Sequence, residues 1–248
     1  MSNRRRALRL LGAIALGLLL GGSILLYRMT RKEKSRIEEV RSHVTPRISR
    51  DLARKELALG NAAFIRIFKE ENELELWMQA KQASPYQLYA AWKVAARSGK
   101  LGPKLKEGDR QAPEGFYSVA KPQLNPNSDY HLAFNIGYPN VYDRAHQRTG
   151  SLIMVHGSNV SIGCFAMTDP VIEEIYLIVE AALNHGQERV PVHVFPFRMT
   201  EERMSKARTS KDEWLGFWEN LKEGYDLFES QKMPPVVAVE PGKYSFRL

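Results

Sequence analysis

The stretch that decides how this chain folds and works reads IMVHGSNVSIGCFAMTD and covers residues 153–169. An apolar, strand-like run ends at His156-Gly157, a short polar loop follows, and Cys164 comes shortly before a segment with the residues that start helices. Cys164 follows His156 by eight residues, a spacing that a tight loop can close. We therefore predict that the thiol and the imidazole lie side by side.

A thiol beside an imidazole is a nucleophile beside its base. A free thiol has a pKa of about 8.5 and is mostly protonated at neutral pH, but a neighbouring imidazole can remove the proton. The thiolate would attack an amide carbonyl to form a thioester, and His156 would protonate the leaving amine and later activate the acceptor. Gly163 lets the backbone approach a substrate, and the amides of Gly163 and Cys164 are candidates for an oxyanion hole.

Each of the two residues alone favours a structural role. A lone cysteine is most often a small buried apolar residue, and a lone histidine at a strand end is more often a structural hydrogen-bonding group. Here the two occur together, with glycines beside both, at a transition from strand to loop to helix. The combination favours catalysis.

The composition is that of a folded chain. Its 248 residues are 44% hydrophobic and 26% charged, enough for one core of ordinary size or two small ones. This excludes an intrinsically disordered chain, a collagen-like chain and a multi-span membrane protein. The single cysteine excludes an intramolecular disulfide and a cysteine-cluster metal site. No cofactor and no metal is predicted.

The net charge of +8 is confined to the N-terminal segment. Residues 1–36 hold nine basic residues and one acidic residue, whereas the rest of the chain holds 27 of each. The folded part therefore has no global positive field, and we predict no nucleic-acid partner. The basic residues flank an apolar segment, which makes a membrane the expected partner.

That apolar segment, residues 10–27, carries no charge over 18 positions. As a helix with a rise of about 1.5 Å per residue it would be roughly 27 Å long, close to the ~30 Å of a bilayer core. No small-residue cleavage site follows it, so an uncleaved signal anchor is predicted, with a cleaved signal peptide or a buried helix of a soluble fold as the alternatives. Basic residues lie at both ends, so the positive-inside rule does not decide its orientation.

Four segments are predicted along the chain. Residues 1–29 form the signal anchor, 30–61 a stalk and packing helix, 62–200 a strand-rich domain, and 201–248 a helical extension with a final strand. The fold class is mostly β, or α+β, with a β-sandwich-like domain, peripheral helices and one N-terminal transmembrane helix.

Several elements of this fold can be placed. Asp169 is predicted to cap a helix that has Pro170 in its first position, and residues 99–114 form a long surface loop. A hairpin turn is predicted at residues 70–73, and residues 86–94 are extended or form a short helix. The other predicted strands are 115–120, 130–136, 152–156, 190–195 and 236–239, and the other predicted helices are about 200–208 and 211–230.

The segment around Cys164 resembles the signature of the YkuD-type L,D-transpeptidase catalytic domain, a His-Gly followed by Ser-x-Gly-Cys, and is most similar to the YafK-like branch of murein L,D-transpeptidases. The match continues through Cys164 to Asp169 and covers about residues 62–200. The flanking blocks that share the resemblance are LGPK at 101–104, GDRQAPEG at 108–115, GYPN at 137–140 and FPFR at 195–198.

The resemblance implies a β-rich domain whose cysteine attacks peptidoglycan stem peptides. By position, Cys164 is the nucleophile and His156 the general base, and Ser161 and Gly163 shape the site. The family acts outside the cytoplasmic membrane, which implies an inner-membrane anchor at residues 10–27 and a periplasmic catalytic domain. Within the YafK-like branch the implied role is an amidase that releases an outer-membrane lipoprotein from the diaminopimelate of peptidoglycan.

Two departures from the common family pattern concern the acceptor. The loop between His156 and Ser161 is shorter than usual, which leaves the acceptor side more open. Ile162 and Ala166 stand where a histidine and an arginine are frequent, and loss of the arginine removes a partner for an acceptor carboxylate. Both departures count against cross-linking and leave hydrolysis open.

Because diaminopimelate presents carboxylates, arginines are expected to line the cleft. Arg144, Arg148 and Arg198 are the candidates, and solvated loop charges or structural ion pairs are the alternative for each. Further predicted substrate-binding residues are Tyr138, Asn140 and Ser158. Four other histidines, at 131, 146, 185 and 193, show no metal-ligand spacing with one another and are predicted to be structural, as are the four tryptophans.

The predicted function is a membrane-anchored periplasmic enzyme that forms an acyl-enzyme on Cys164 at a diaminopimelate-containing stem peptide. An amine acceptor would make it an L,D-transpeptidase, and water would make it an amidase that releases peptidoglycan-bound lipoprotein. Two alternatives remain at this point: a non-catalytic peptidoglycan-binding scaffold that retains the fold, and a cysteine protease of ordinary proteins.

Overall fold

A computed structural model describes residues 36–248. The chain divides into a unit Met1–His43 and a unit Val44–Leu248. Of the first unit, residues 36–43 are described and are helical. The predicted anchor at residues 10–27 lies outside the described residues; within 36–248, no helix combines the length and apolar character needed to traverse a bilayer.

The second unit is a mixed α+β domain. It begins with helical residues 44–53 (α1), followed by four further α-helices and a short 3₁₀ helix at Lys121–Gln123. The four α-helices are α2 Val141–Ala145, α3 Asp169–Asn184, α4 Glu201–Ser210 and α5 Leu215–Gln231. The strands are β1 Ala62–Phe68, β2 Glu73–Gln79, β3 Gln87–Lys93, β4 Gly115–Val119, β5 Leu124–Ser128, β6 His131–Asn135, β7 Met154–His156, β8 Phe165–Ala166, β9 Val190–Phe195, β10 Val236–Glu240 and β11 Lys243–Arg247.

Five strands form the larger sheet, in the order β3-β2-β1-β9-β4, with β1 and β9 parallel and the other pairs antiparallel. The central strand β1 reads AAFIRIF and is almost entirely buried, as expected of a strand covered on both faces. Phe64 of β1 packs against Phe228 of α5 with ring centroids 4.8 Å apart. Helix α3 also contacts β1 and β9.

Four strands form the smaller sheet, in the order β5-β6-β7-β8. Strands β7 and β8 pair in parallel, whereas β5 with β6 and β6 with β7 pair antiparallel. Helix α3 contacts β6 and β7 of this sheet as well as β1 and β9 of the larger one. Because α3 packs against both sheets, it must bury a wide apolar face, and its sequence has one.

The C-terminal residues complete the core of this unit. Trp218 and Tyr225 of α5 are buried in one cluster with Phe68 and Phe195 of the larger sheet. The final strand predicted at 236–239 is present as β10, and it pairs antiparallel with β11, which the sequence did not predict. Residues 86–94, left open as strand or helix, contain strand β3.

The start of α3 differs from the prediction by one residue. Thr168 occupies the cap position, with no side-chain cap hydrogen bond, and Asp169 is already the first helical residue. The Asp169 carboxylate accepts a hydrogen bond from the amide of Ser158, in the loop after His156, at 2.7 Å. The predicted cap was therefore wrong, because this side chain binds a loop amide instead of an amide of its own helix.

The four histidines predicted to be structural all contact groups within the fold. His193 is buried between Phe64 and Phe116, and burial lowers its pKa to about 3, so the ring is neutral. The other three contacts are His131 with Glu173 at 2.8 Å, His146 with the carbonyl of Gly242 at 3.2 Å, and His185 with the carbonyl of Ala181 at 2.7 Å.

Candidate active site

The parallel pair of β7 and β8 positions the two reactive side chains. His156 is paired with Ala166, which places Cys164, just before β8, beside Met154. Residues two apart along a strand point to the same face, so Cys164 and His156 are diagonal neighbours. A short loop and two strand ends are thus enough to build the pair.

Both side chains open into one cavity of about 150 Å³. It is lined by Tyr130, His156, Val160, Ser161, Ile162 and Cys164. Three of these, Cys164, His156 and Ser161, are residues that the sequence predicted. The thiol and the ring therefore share a solvent-connected space in which a carbonyl carbon could meet both.

The thiol of Cys164 is protonated at rest. Its sulfur accepts a hydrogen bond from the Met154 amide at 3.3 Å and donates one to the Leu152 carbonyl at 3.6 Å. Burial raises its pKa above that of a free thiol, while the Met154 amide and the positive charge of Lys104 act in the opposite direction. The resting sulfur is hydrogen-bonded to the backbone beside β7 and not to the imidazole.

The imidazole of His156 is held in one tautomer. Its Nδ1 lies 2.6 Å from the carbonyl oxygen of Gly157, and because a carbonyl only accepts, Nδ1 carries the proton. Nε2 is then the basic nitrogen. Burial lowers the pKa of His156 below 6.5, so the ring is neutral at neutral pH and ready to accept a proton. The ring of Tyr130 packs against it, with centroids 4.8 Å apart.

Ser161 fixes the turn that leads to the nucleophile. Its hydroxyl donates to the carbonyl of Cys164 at 2.7 Å and accepts from the amide of Gly163 at 3.3 Å. Gly163 has a φ of 132°, in the region that favours glycine. Since the Gly163 amide is engaged with Ser161, the oxyanion-hole candidate that remains from the sequence is the amide of Cys164.

Several predicted substrate-binding side chains contact other parts of the protein. The hydroxyl of Tyr138 lies 3.2 Å from the carbonyl oxygens of Lys104 and Thr149. Asn140 caps α2 and donates to the carbonyl of Phe116 at 2.8 Å. Neither lines the cavity around Cys164.

The three candidate arginines are likewise engaged elsewhere. Arg148 is buried and pairs with Asp143 at 2.9 Å. Arg198 pairs with Glu73 and Glu75, and the guanidinium of Arg144 donates to the carbonyl of Pro139. None of the three lines the cavity. Ser158 lies on the loop between His156 and Cys164, outside the lining, with its amide bound to Asp169.

The rim of the cavity is apolar, which the sequence did not predict. Ile162 is 80% exposed and Val160 is 53% exposed, and both line the cavity. Tyr130 is added from the turn before β6, far from Cys164 in sequence. The apolar residues Val160 and Ile162 on either side of Ser161, in a short polar loop, were a local signal for the apolar rim. Nothing in the local sequence pointed to Tyr130.

The resting state of the thiol can be tested by alkylation. Because burial raises the pKa of Cys164, we expect the rate of reaction with iodoacetamide to increase with pH and to reach half its maximum at a higher pH than that of a free thiol. Intact-mass spectrometry reports the modification directly, since the chain has one cysteine. His156→Gln should leave this profile almost unchanged. A plateau of reactivity near pH 6 that vanishes in His156→Gln would instead show a resting thiolate–imidazolium pair.

Comparisons with known proteins agree on one family. The family model of the L,D-transpeptidase catalytic domain (YkuD) matches residues 64–194. "Putative L,D-transpeptidase YafK" of Escherichia coli K12 is 48% identical over 190 residues, which are 77% of this chain and 76% of that protein. The protein of the same name in Escherichia coli O157:H7 matches equally.

Solved structures with low sequence identity also match. The helical cell shape determining protein Pgp2 from Campylobacter jejuni is 19% identical, with a TM-score of 0.44 over 73% of each chain. Bd1075 of Bdellovibrio bacteriovorus is 18% identical, with a TM-score of 0.39 over 73% of this chain and 77% of that one.

Proposed function

Because the chain belongs to the YkuD family of L,D-transpeptidase catalytic domains, we propose that it is an enzyme of peptidoglycan, with Cys164 as its nucleophile. The substrate is an amide bond formed by the carboxyl group of diaminopimelate in a stem peptide. The observation that carries the proposal is the shared cavity of Cys164 and His156, with the Nδ1 proton of His156 fixed on the Gly157 carbonyl.

The proposed reaction has two halves. As the sulfur of Cys164 attacks the amide carbonyl, Nε2 of His156 takes the thiol proton, and a carbon–sulfur bond forms. The imidazolium then donates that proton to the leaving nitrogen, the carbon–nitrogen bond breaks, and a thioester remains. In the second half, Nε2 takes a proton from water as the oxygen bonds to the thioester carbon. The carbon–sulfur bond then breaks, and the imidazolium returns the proton to the sulfur, which restores the thiol and leaves a carboxyl group. The neutral resting pair suits this sequence, since proton transfer accompanies attack.

We propose water as the acceptor, which makes the enzyme an amidase that releases peptidoglycan-bound lipoprotein. An acceptor stem peptide would bring carboxylates to the cavity, and none of the six lining residues is a lysine or arginine. Ile162 is exposed at the rim and Ala166 is buried in β8, at the two positions where the common pattern has charged or polar side chains. An apolar rim is better suited to the side chains of an attached polypeptide.

We also propose that the enzyme works in the periplasm, anchored in the inner membrane. The support is the charge-free segment 10–27 with its basic flanks, together with the location of peptidoglycan outside the cytoplasmic membrane. A tether would keep the cleft near the cell wall and limit the volume it searches.

The acceptor can be identified by isotope labelling. The full-length chain is incubated with sacculi that carry covalently bound lipoprotein, in water enriched in oxygen-18. We expect release of lipoprotein with a free amine and one oxygen-18 atom in the new diaminopimelate carboxyl group, measured by mass spectrometry of the muropeptides. New cross-links without label would show transpeptidation. Unchanged sacculi would contradict the enzymatic proposal and favour the scaffold.

A further inference from the structure

The peptide unit between Gly157 and Ser158 is hydrogen-bonded on both sides. Its carbonyl accepts from Nδ1 of His156 at 2.6 Å, and its N–H donates to Oδ1 of Asp169 at 2.7 Å. A peptide unit is a rigid, resonance-stabilised plane. Hydrogen bonds in a chain polarise one another, so a carboxylate on the N–H strengthens the carbonyl as an acceptor for His156.

The surrounding backbone fixes this peptide unit in place. Ser158 has a φ of 65°, in the left-handed region that non-glycine residues seldom adopt, and its carbonyl accepts from the amide of Thr168 at 2.9 Å. A Cβ atom at Gly157 would lie 2.5 Å from Oδ1 of Asp169, so only glycine permits the approach. The amide of Met167 donates to the carbonyl of His156 at 2.8 Å. Strained backbone of this kind persists where neighbouring contacts determine it.

Asp169 is placed to supply a fixed negative charge. As the first residue of α3 it lies at the positive end of the helix dipole, which stabilises an anion there. Its side chain reaches back to the loop instead of capping the helix. The same short segment therefore carries the nucleophile, Cys164, and a carboxylate, Asp169. One peptide group links this carboxylate to the base, His156.

We propose that Asp169 is a positioning residue for His156 and acts through the Gly157–Ser158 peptide group. This inference rests on the proposed roles of Cys164 and His156. The carboxylate holds the carbonyl in line with Nδ1, keeps Nε2 as the basic nitrogen and stabilises the imidazolium that forms when the thiol is deprotonated. In a triad of the usual kind a carboxylate contacts the histidine directly; here the backbone transmits its effect.

The test compares Asp169→Asn and Asp169→Ala in the full-length chain, with kcat/KM for lipoprotein release from sacculi measured against pH. Asp169→Asn keeps an oxygen acceptor and the size of the side chain but removes the charge. Loss of a directly bonded carboxylate lowers kcat by about 10⁴-fold. Asp169 is exposed and acts on His156 only through the intervening peptide group, so smaller losses are expected. We expect losses on the order of 10-fold for Asp169→Asn and 100-fold for Asp169→Ala, mainly in kcat.

The pH profile separates this role from a purely structural one. Without the carboxylate the imidazolium is less stable, so the acid limb of kcat/KM should move to lower pH in Asp169→Asn. Glu173→Gln is the matched control, since Glu173 lies in the same first turns of α3 and pairs with His131; its rate and acid limb should stay as in the wild type. Melting temperatures of all variants establish that each is folded.

The outcomes distinguish failure of the role of Asp169 from failure of the proposed function. Asp169→Asn with a wild-type rate and acid limb would overturn the role of Asp169 and leave Cys164 and His156 in place. A lower rate with an unmoved acid limb would also overturn it, because Asp169 would then only support the loop. Absence of release by the wild-type chain itself would overturn the proposed function.

Discussion

Cys164→Ala should abolish release of lipoprotein from sacculi, with a loss on the order of 10⁴-fold or more, as in other enzymes that lose their nucleophile. The sulfur forms the bond to the acyl group, and no other residue lining the cavity is a thiol. The fold should survive, because the sulfur makes two long hydrogen bonds, at 3.3 and 3.6 Å, to the backbone. Release is followed by mass spectrometry, and folding by the thermal unfolding transition.

Two further variants sharpen this prediction. Cys164→Ser keeps a polar atom in place, but a serine hydroxyl holds its proton far more strongly than a thiol, so it should be nearly as inactive as alanine. His156→Gln should also lose most activity while its single thiol remains open to alkylation. Wild-type protein quenched during turnover should carry an acyl mass on Cys164, and the variants should not. Full release of lipoprotein by Cys164→Ala would show that Cys164 is not the nucleophile.

The pair of Cys164 and His156 could be predicted because everything that builds it is local. Eight residues, two strand ends and a glycine on each side are contained in one stretch of sequence. Arg198 shows the opposite case. Its partners Glu73 and Glu75 lie more than 120 residues earlier, and pairing across such a separation leaves no local pattern. An arginine that braces β2 and one that binds substrate look the same in sequence.

The fold, like the site, has features that local sequence predicts and features that depend on distant segments. Alternating and apolar runs identified the strands of the larger sheet, with β3 left open as strand or helix, but only β6 and β7 of the smaller sheet. The proline and acidic residues located α3 to within one residue. That one-residue difference was informative, because it separates a helix cap from a carboxylate that binds the loop after His156. The order of strands in each sheet depends on contacts between distant segments and could not be predicted from local pattern. Strand β11 was missed although its pairing is local, since it forms a hairpin with β10 in which Glu240 pairs with Lys243.

A second large effect is expected at a fully buried ion pair beneath the loop at residues 99–114. Lys69 and Glu114 are both 0% exposed and lie 2.9 Å apart. Burial lowers the pKa of Lys69, and the negative charge of Glu114 opposes that shift. Glu114 also accepts from the indole of Trp218 at 2.8 Å and from the amide of Gly102 at 2.7 Å. One carboxylate at the end of the loop thus joins the residue after β1, the start of the loop and α5.

Glu114→Ala should lower the free energy of unfolding by about 3–5 kcal/mol, because it leaves the Lys69 ammonium buried without its counter-charge. The loss can be measured by urea denaturation at neutral pH, followed by tryptophan fluorescence, since Trp218 is one of the reporters. Glu202→Ala is the control. Glu202 forms a surface pair with Lys206, 2.8 Å apart and largely exposed, and its removal should leave the urea midpoint almost unchanged.

The double variant Lys69→Met, Glu114→Leu shows which interaction accounts for the stability lost in Glu114→Ala. If the cost of Glu114→Ala comes from an unpaired buried charge, removing both charges and filling the space with apolar side chains should restore part of the stability. If the double variant is instead only as stable as Glu114→Ala, the lost bonds of Glu114 to Trp218 and Gly102 are the larger contribution. A Glu114→Ala midpoint equal to that of Glu202→Ala would contradict both explanations, because a fully buried carboxylate with three partners would then contribute no more than a solvated one.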